Sequence, residues 1–106
     1  MTVTTTDTIP GRRIKTILGL VRGSTIRARH IGHDLLASLK NITGGEIREY
    51  TKLIAESREQ CLDRMREEAV SLGADAVVGV RFMTSGVMQG AAELFVYGTA
   101  VQLEEE

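Results

Sequence analysis

An α+β fold in the order ββααββ is predicted for this chain of 106 residues. Three observations predict it. β-branched and apolar runs occupy both ends of the chain. The stretch between them carries two segments of helical periodicity. Glycines stand where those helices must stop, at Gly44-Gly45 and at Gly73. The sheet is expected to be largely antiparallel, with one short helix and one long one.

Taken in order, Thr2 to Thr6 is β-branched and reads as a short strand. Pro10-Gly11 marks a turn. A long strand follows from Lys15 to Ala28, with Ile17, Leu18, Leu20, Val21 and Ile26 as its apolar residues. Gly19 and Gly23 interrupt it, the signature of a bulge or a close backbone approach. Ile31, Leu35, Leu39 and Ile42 then fall on one face of a short helix, with Leu36 at the edge. Gly44-Gly45 ends it. The long helix runs from about Glu46 to Leu72. Its apolar stripe is Ile47, Tyr50, Ile54, Cys61, Met65 and Leu72, widened by Leu53 and Ala69. Charged residues from Arg48 to Glu67 occupy the opposite face. Ala76 to Thr84 and Glu93 to Leu103 are the last two strands, joined by a hairpin loop over Ser85 to Gly90.

The length is that of one domain, residues 1–106, with an N-terminal strand and turn over 1–13 and an acidic tail over 104–106. With 42% hydrophobic and 25% charged residues, the chain has the composition of an ordinary globular protein. A net charge of −1 removes the usual electrostatic case for nucleic acid or an anionic membrane. No Trp, two Tyr and two Phe leave no stacking platform for single strands. One Cys rules out an internal disulfide and a Cys-rich zinc site. Met1 to Thr8 lacks the pattern of a signal peptide, and no apolar run approaches the ~20 residues of a membrane span. A cytoplasmic protein is expected.

The last two strands do not alternate between apolar and polar. Phe95, Tyr97 and Val101 point one way; Leu94, Val96 and Ala100 point the other. Val78, Val80 and Phe82 oppose Val77 and Met83. Both sheet faces therefore read as buried. Either the short helix covers the second face within the chain, or a neighbouring subunit does. Helix length favours the neighbour. About 27 residues span roughly 40 Å, longer than a compact domain of this size is wide. A symmetric homo-oligomer is predicted.

Four stretches carry a family likeness. They are Gly44-Gly45-Glu46 with Glu49-Tyr50-Thr51, then Arg64-Met65, then Leu72 through Arg81, and finally Tyr97-Gly98-Thr99-Ala100-Val101. In order and spacing, from Thr16 to Leu103, the chain resembles the YbjQ-like family, an uncharacterised bacterial and archaeal group often labelled heavy-metal-binding. The resemblance implies a dodecin-like sheet-and-helix subunit. It also implies a homopentamer, sometimes paired into larger assemblies. It implies no established activity.

The metal label can be tested against the residues. A soft metal takes thiolates, usually paired. Here Cys61 stands alone at the centre of the apolar stripe, where a thiol reads as a small buried hydrophobe. His30 and His33, beside Asp34, lie one turn apart on the polar side of the short helix. That spacing is able to hold a divalent metal, within one subunit or shared between subunits. The plainer reading is a solvated helix start. Gly44 and Gly45 have the composition of an anion nest, but Glu46 already satisfies the helix terminus, so a tight connection is the simpler account. Arg81 lies in an apolar strand. A simple hairpin register sets it diagonal to Glu93 as a cross-strand ion pair. The alternative is an anion ligand or an intersubunit clamp. Tyr50 reads as interface or core packing.

No Ser/His/Asp order or Cys/His pair is recognisable, so no catalytic constellation is assigned. Three function classes follow. The first is a ring-forming assembly or binding protein that holds a small ligand or ion between subunits. The second is a metal-binding protein with intersubunit ligands. The third is an enzyme with a site at the subunit boundary.

Overall fold

A computed structural model of the chain describes residues 1–27, 44–88 and 91–105. Its elements are β1 (Thr2–Val3), β2 (Ile14–Arg27), α1 (Gly44–Ser71), β3 (Ala76–Met88) and β4 (Ala91–Leu103). The short helix expected over 31–42 lies outside the described residues. The strands form one mixed sheet in the order β1-β3-β4-β2. The β2–β4 and β3–β4 pairs are antiparallel, and the two-residue β1–β3 pair is parallel. The α+β class and the largely antiparallel sheet are as the sequence predicts.

The helix begins at Gly44, two residues before Glu46, so Gly44 and Gly45 belong to its first turn rather than to a connection before it. At the other end the predicted stop holds. Gly73 has a φ of 80°. Its N–H donates to the Val70 carbonyl at 3.0 Å, and the Ala74 N–H donates to the Ala69 carbonyl at 3.0 Å. This pair of bonds closes a Schellman motif, and it needs the left-handed backbone that glycine adopts without a Cβ penalty. The buried stripe of α1 is Ser57, Cys61, Met65 and Ala69, one residue per turn. Leu72, read as part of that stripe, lies past the helix end and is exposed.

This stripe packs on one face of the sheet, against Val21, Val77, Val80, Val96 and Ala100, with Leu18, Leu62 and Leu94 at the margin. The helix lies chiefly over β2 and β4. On the opposite face Ala76, Val78, Val101 and Leu103 form a smaller cluster with Ile9 and Ile14. The N-terminal turn thus covers only one end of that outer face.

Face assignments within β4 agree with the sequence reading, but those within β3 do not. A bulge between Val78 and Arg81 puts Val80 on the helix side with Val77 and leaves Val78 on the outer side. One extra residue in a strand reverses the alternation beyond it. Phe82, opposite Val96, then falls on the helix side beyond the reach of α1 and is 47% exposed. The hairpin is also longer than expected. Pairing continues to Met88↔Ala91, so Ser85 to Met88 belong to β3 rather than to a loop.

Elsewhere on the outer face, on β2 opposite Val101 and Thr99 and further along on β3 opposite Phe95, apolar side chains stand in the open. Ile17 is 69%, Leu20 61% and Met83 53% exposed. The chain is also extended for its size. Its Cα radius of gyration is 17.1 Å and its longest dimension 56 Å, against a radius of about 13 Å for a compact domain of this length.

Candidate functional site

The first candidate is the thiol on α1. Cys61 is fully buried. Its Sγ–H donates to the Leu94 carbonyl oxygen at 3.3 Å, and Thr25 Oγ1 lies 3.6 Å from the sulfur. Thr25 is itself buried in β2. The sulfur is therefore a thiol donor held between a hydroxyl and a carbonyl. A heavy metal needs soft, anionic donors that converge. No second thiolate or imidazole is among these neighbours, so the Cys61 surroundings do not fit such an ion. Among the described residues no three His, Cys, Asp or Glu side chains converge as a metal site. His30, His33 and Asp34 lie outside the described residues.

The close approach of β2 to α1 that frames Cys61 depends on Gly23. A Cβ at that position would overlap the Cys61 carbonyl oxygen and come within 2.8 Å of the Met65 amide nitrogen. Both are backbone atoms, which cannot rotate away. The sequence reading of Gly23 as a close approach is the geometry found.

Arg81 and Glu93 do not form the expected diagonal pair. Arg81 stands opposite Tyr97, and Glu93 opposite Ser85, four residues further along. The pairing out to Met88↔Ala91 and the bulge set this register. The Arg81 guanidinium instead donates to the Thr5 carbonyl at 2.9 Å and to its neighbouring Val80 carbonyl at 2.8 Å. It ties the N-terminal segment to β3 just past the bulge. Gly79 N–H to the Thr6 carbonyl (2.8 Å) and Val80 N–H to the Thr4 carbonyl (3.1 Å) complete that tie. Gly44, Gly45 and Tyr50 all fall in the first two turns of α1.

Two surface clefts are lined by described residues. One, about 470 Å³, is lined by Thr8, Arg12, Arg13, Ile14 and Glu104. Its Arg12 is spoken for: Nε and Nη2 donate to the Glu104 carbonyl at 3.3 and 3.1 Å. The other, about 530 Å³, lies where α1 meets the outer edge of β2 and is lined by Arg22, Ser24, Arg64, Glu68, Glu93 and Phe95. Sequence reasoning missed it. These residues are scattered over three elements, and each alone is an ordinary surface charge; no local pattern announces them.

A protein-family model described as "Putative heavy-metal-binding", the YbjQ model, matches residues 1–104. A UPF0145 protein of Hahella chejuensis is 57% identical over 104 residues, covering 98% of this chain and 100% of that protein. A UPF0145 protein of Archaeoglobus fulgidus is 59% identical over 101 residues, covering 95% of this chain and 94% of its own. Among solved structures, a protein of unknown function of the DUF74 family from Pediococcus pentosaceus superposes with a TM-score of 0.66 at 17% identity, covering 98% of both chains. That likeness concerns the fold.

Proposed function

The chain belongs to the YbjQ family of uncharacterised UPF0145 proteins, and on that premise we propose that it is the repeating unit of a cytoplasmic, ring-forming homo-oligomer that holds a small ligand or ion between subunits. The observation that carries this reading is the set of large apolar side chains left uncovered on the outer sheet face. Ile17 and Leu20 stand exposed on β2, beside that strand's outer edge, and Met83 stands exposed on β3. Each large apolar side chain left in water forgoes about 1.5–3 kcal/mol that burial would supply. A long edge strand also presents main-chain groups that pair readily with another chain. A second copy that covers the exposed side chains and the adjoining part of the edge, up to Leu20, satisfies both and leaves Arg22 and Ser24 free. The 28-residue helix, about 42 Å long, supports the same reading, because it extends beyond what one small sheet needs.

Within this proposal the ring is a pentamer, or two pentamers paired. Among the described residues, no helix is long and apolar enough to cross a membrane. Sedimentation of the untagged protein tests the assembly. A mass above that of one chain at micromolar concentration is expected, and a monomer overturns the reading.

The second reading is a heavy-metal binder with ligands contributed across subunit boundaries. The description of the family model favours it. The surroundings of Cys61 do not, so the ligands would have to come from His30, His33 and Asp34. Metal analysis of untagged protein separates the two readings. Calorimetric titration with zinc or copper, compared with the His30→Ala/His33→Ala variant, tests the second directly. Identical isotherms retire it.

A further inference from the structure

We propose that the cleft at the outer edge of β2 is a binding site for a small zwitterion, a molecule carrying both a carboxylate and an ammonium group, as free α-amino acids do. The proposal deepens the reading above and rests on it for the neighbouring subunit that would close the cleft.

The charge pattern points to this class of ligand. Arg22 and Arg64 bring two guanidiniums to the cleft, and Glu68 and Glu93 bring two carboxylates. Among the described residues these four do not pair with one another; the ion pair found on α1 is Arg66 with Asp63, at 3.4 Å. Arg64 donates one N–H to the Ser24 carbonyl. Among the described residues the side chains of Arg22, Glu68 and Glu93 make no hydrogen bond; the Glu68 backbone carbonyl accepts from Ser71 Oγ at 2.6 Å. A simple anion in this cleft would gain from two cations and lose to two anions, and a simple cation would fare the same in reverse. A ligand with both signs gains from both pairs. Guanidinium is well suited to the carboxylate end, because its fork of N–H groups matches two oxygens.

The backbone adds a second match. The Ser24 carbonyl accepts from Arg64, so it points away from β4 and towards the open edge. Antiparallel pairing alternates residue by residue, so the N–H and C=O of Arg22 point to the same side. The cleft therefore offers main-chain donors and acceptors between its charged walls. Phe95 supplies the apolar wall. It is half-buried and stacked, tilted, on Tyr97 with ring centroids 5.7 Å apart. A zwitterion with an apolar side chain uses every surface of the site.

A matched trio of probes tests this on the full-length assembly: phenylalanine, 3-phenylpropionate and 2-phenylethylamine. They share the ring and differ in whether they carry both charges, the carboxylate alone or the ammonium alone. Calorimetry and amide chemical shifts are the readouts, with solution mass recorded on the same samples. Phenylalanine is expected to give saturable shifts at residues 22–24 and 93–95. Each half-charged probe should bind about tenfold more weakly, and Arg22→Gln and Glu93→Gln should each weaken phenylalanine by about tenfold. Equal binding of all three probes, binding unchanged in both variants, or no saturable shift up to the solubility of phenylalanine overturns the proposal. A monomer that binds phenylalanine keeps the site and overturns the ring. A ring that ignores phenylalanine keeps the ring and overturns the site.

Discussion

The Cys61 thiol donates to the Leu94 carbonyl at 3.3 Å from a fully buried position on the helix. The bond joins α1 to β4 through the middle of the core, and it engages the one sulfur that the family description makes interesting. Cys61→Ala is expected to leave zinc and copper stoichiometry unchanged. It should cost about 1–2 kcal/mol of stability, from a lost bond and a small cavity. A thiol reagent should modify the native protein only as it unfolds. Loss of a bound metal equivalent in Cys61→Ala would contradict the structural role.

Gly23→Ala should be more damaging than its single added methyl suggests. The new Cβ meets the backbone of Cys61 and Met65, so α1 must move off β2. Overpacking of this kind costs about 1–3 kcal/mol or somewhat more. Urea titration reads the loss, and an unchanged midpoint would show that the helix can shift freely.

Met65 and Val70 provide a contrast on the same helix. Met65 is fully buried against the sheet, whereas Val70 is 64% exposed. Met65→Ala should lose about 2–5 kcal/mol and Val70→Ala less than about 0.5 kcal/mol. Comparable losses would mean that Val70 is covered in solution by another subunit.

Arg81→Ala removes the tie between the guanidinium and the Thr5 carbonyl. The N-terminal segment should then open more often. Amide exchange at Gly79 and Val80, which donate to Thr6 and Thr4, should quicken about five- to tenfold while amides of β4 stay protected. Uniform exchange rates in variant and parent would show that the main-chain bonds suffice.

Much of the fold can be read from local pattern. Periodicity along α1 places Cys61 and Met65 inside, and Gly73 marks the helix end because only its backbone freedom suits that cap. Gly23 announces a close approach by lacking a side chain in an apolar strand. What escaped was set by pairing rather than by composition. The bulge after Val78 inserts one residue with no compositional mark, and it turns Val80 to the helix side. Ser85 to Met88 contain loop-like residues, yet partner strand β4 holds them in the sheet. Ser57 looks like a surface residue and is buried, because its position one turn before Cys61 falls on the packed stripe. The cleft of Arg22, Arg64, Glu68 and Glu93 exists only once β2, β4 and α1 are brought together.

The molar mass of the untagged protein in solution tests the central claim most directly, measured for the parent and for Ile17→Asp/Leu20→Asp. The account predicts a parent mass five or ten times that of the 11.6 kDa chain. It predicts that the double variant falls to a single chain while keeping its helical circular dichroism, since both side chains are exposed in one subunit. A parent that sediments as a monomer at micromolar concentration would contradict it, as would a variant that assembles as the parent does.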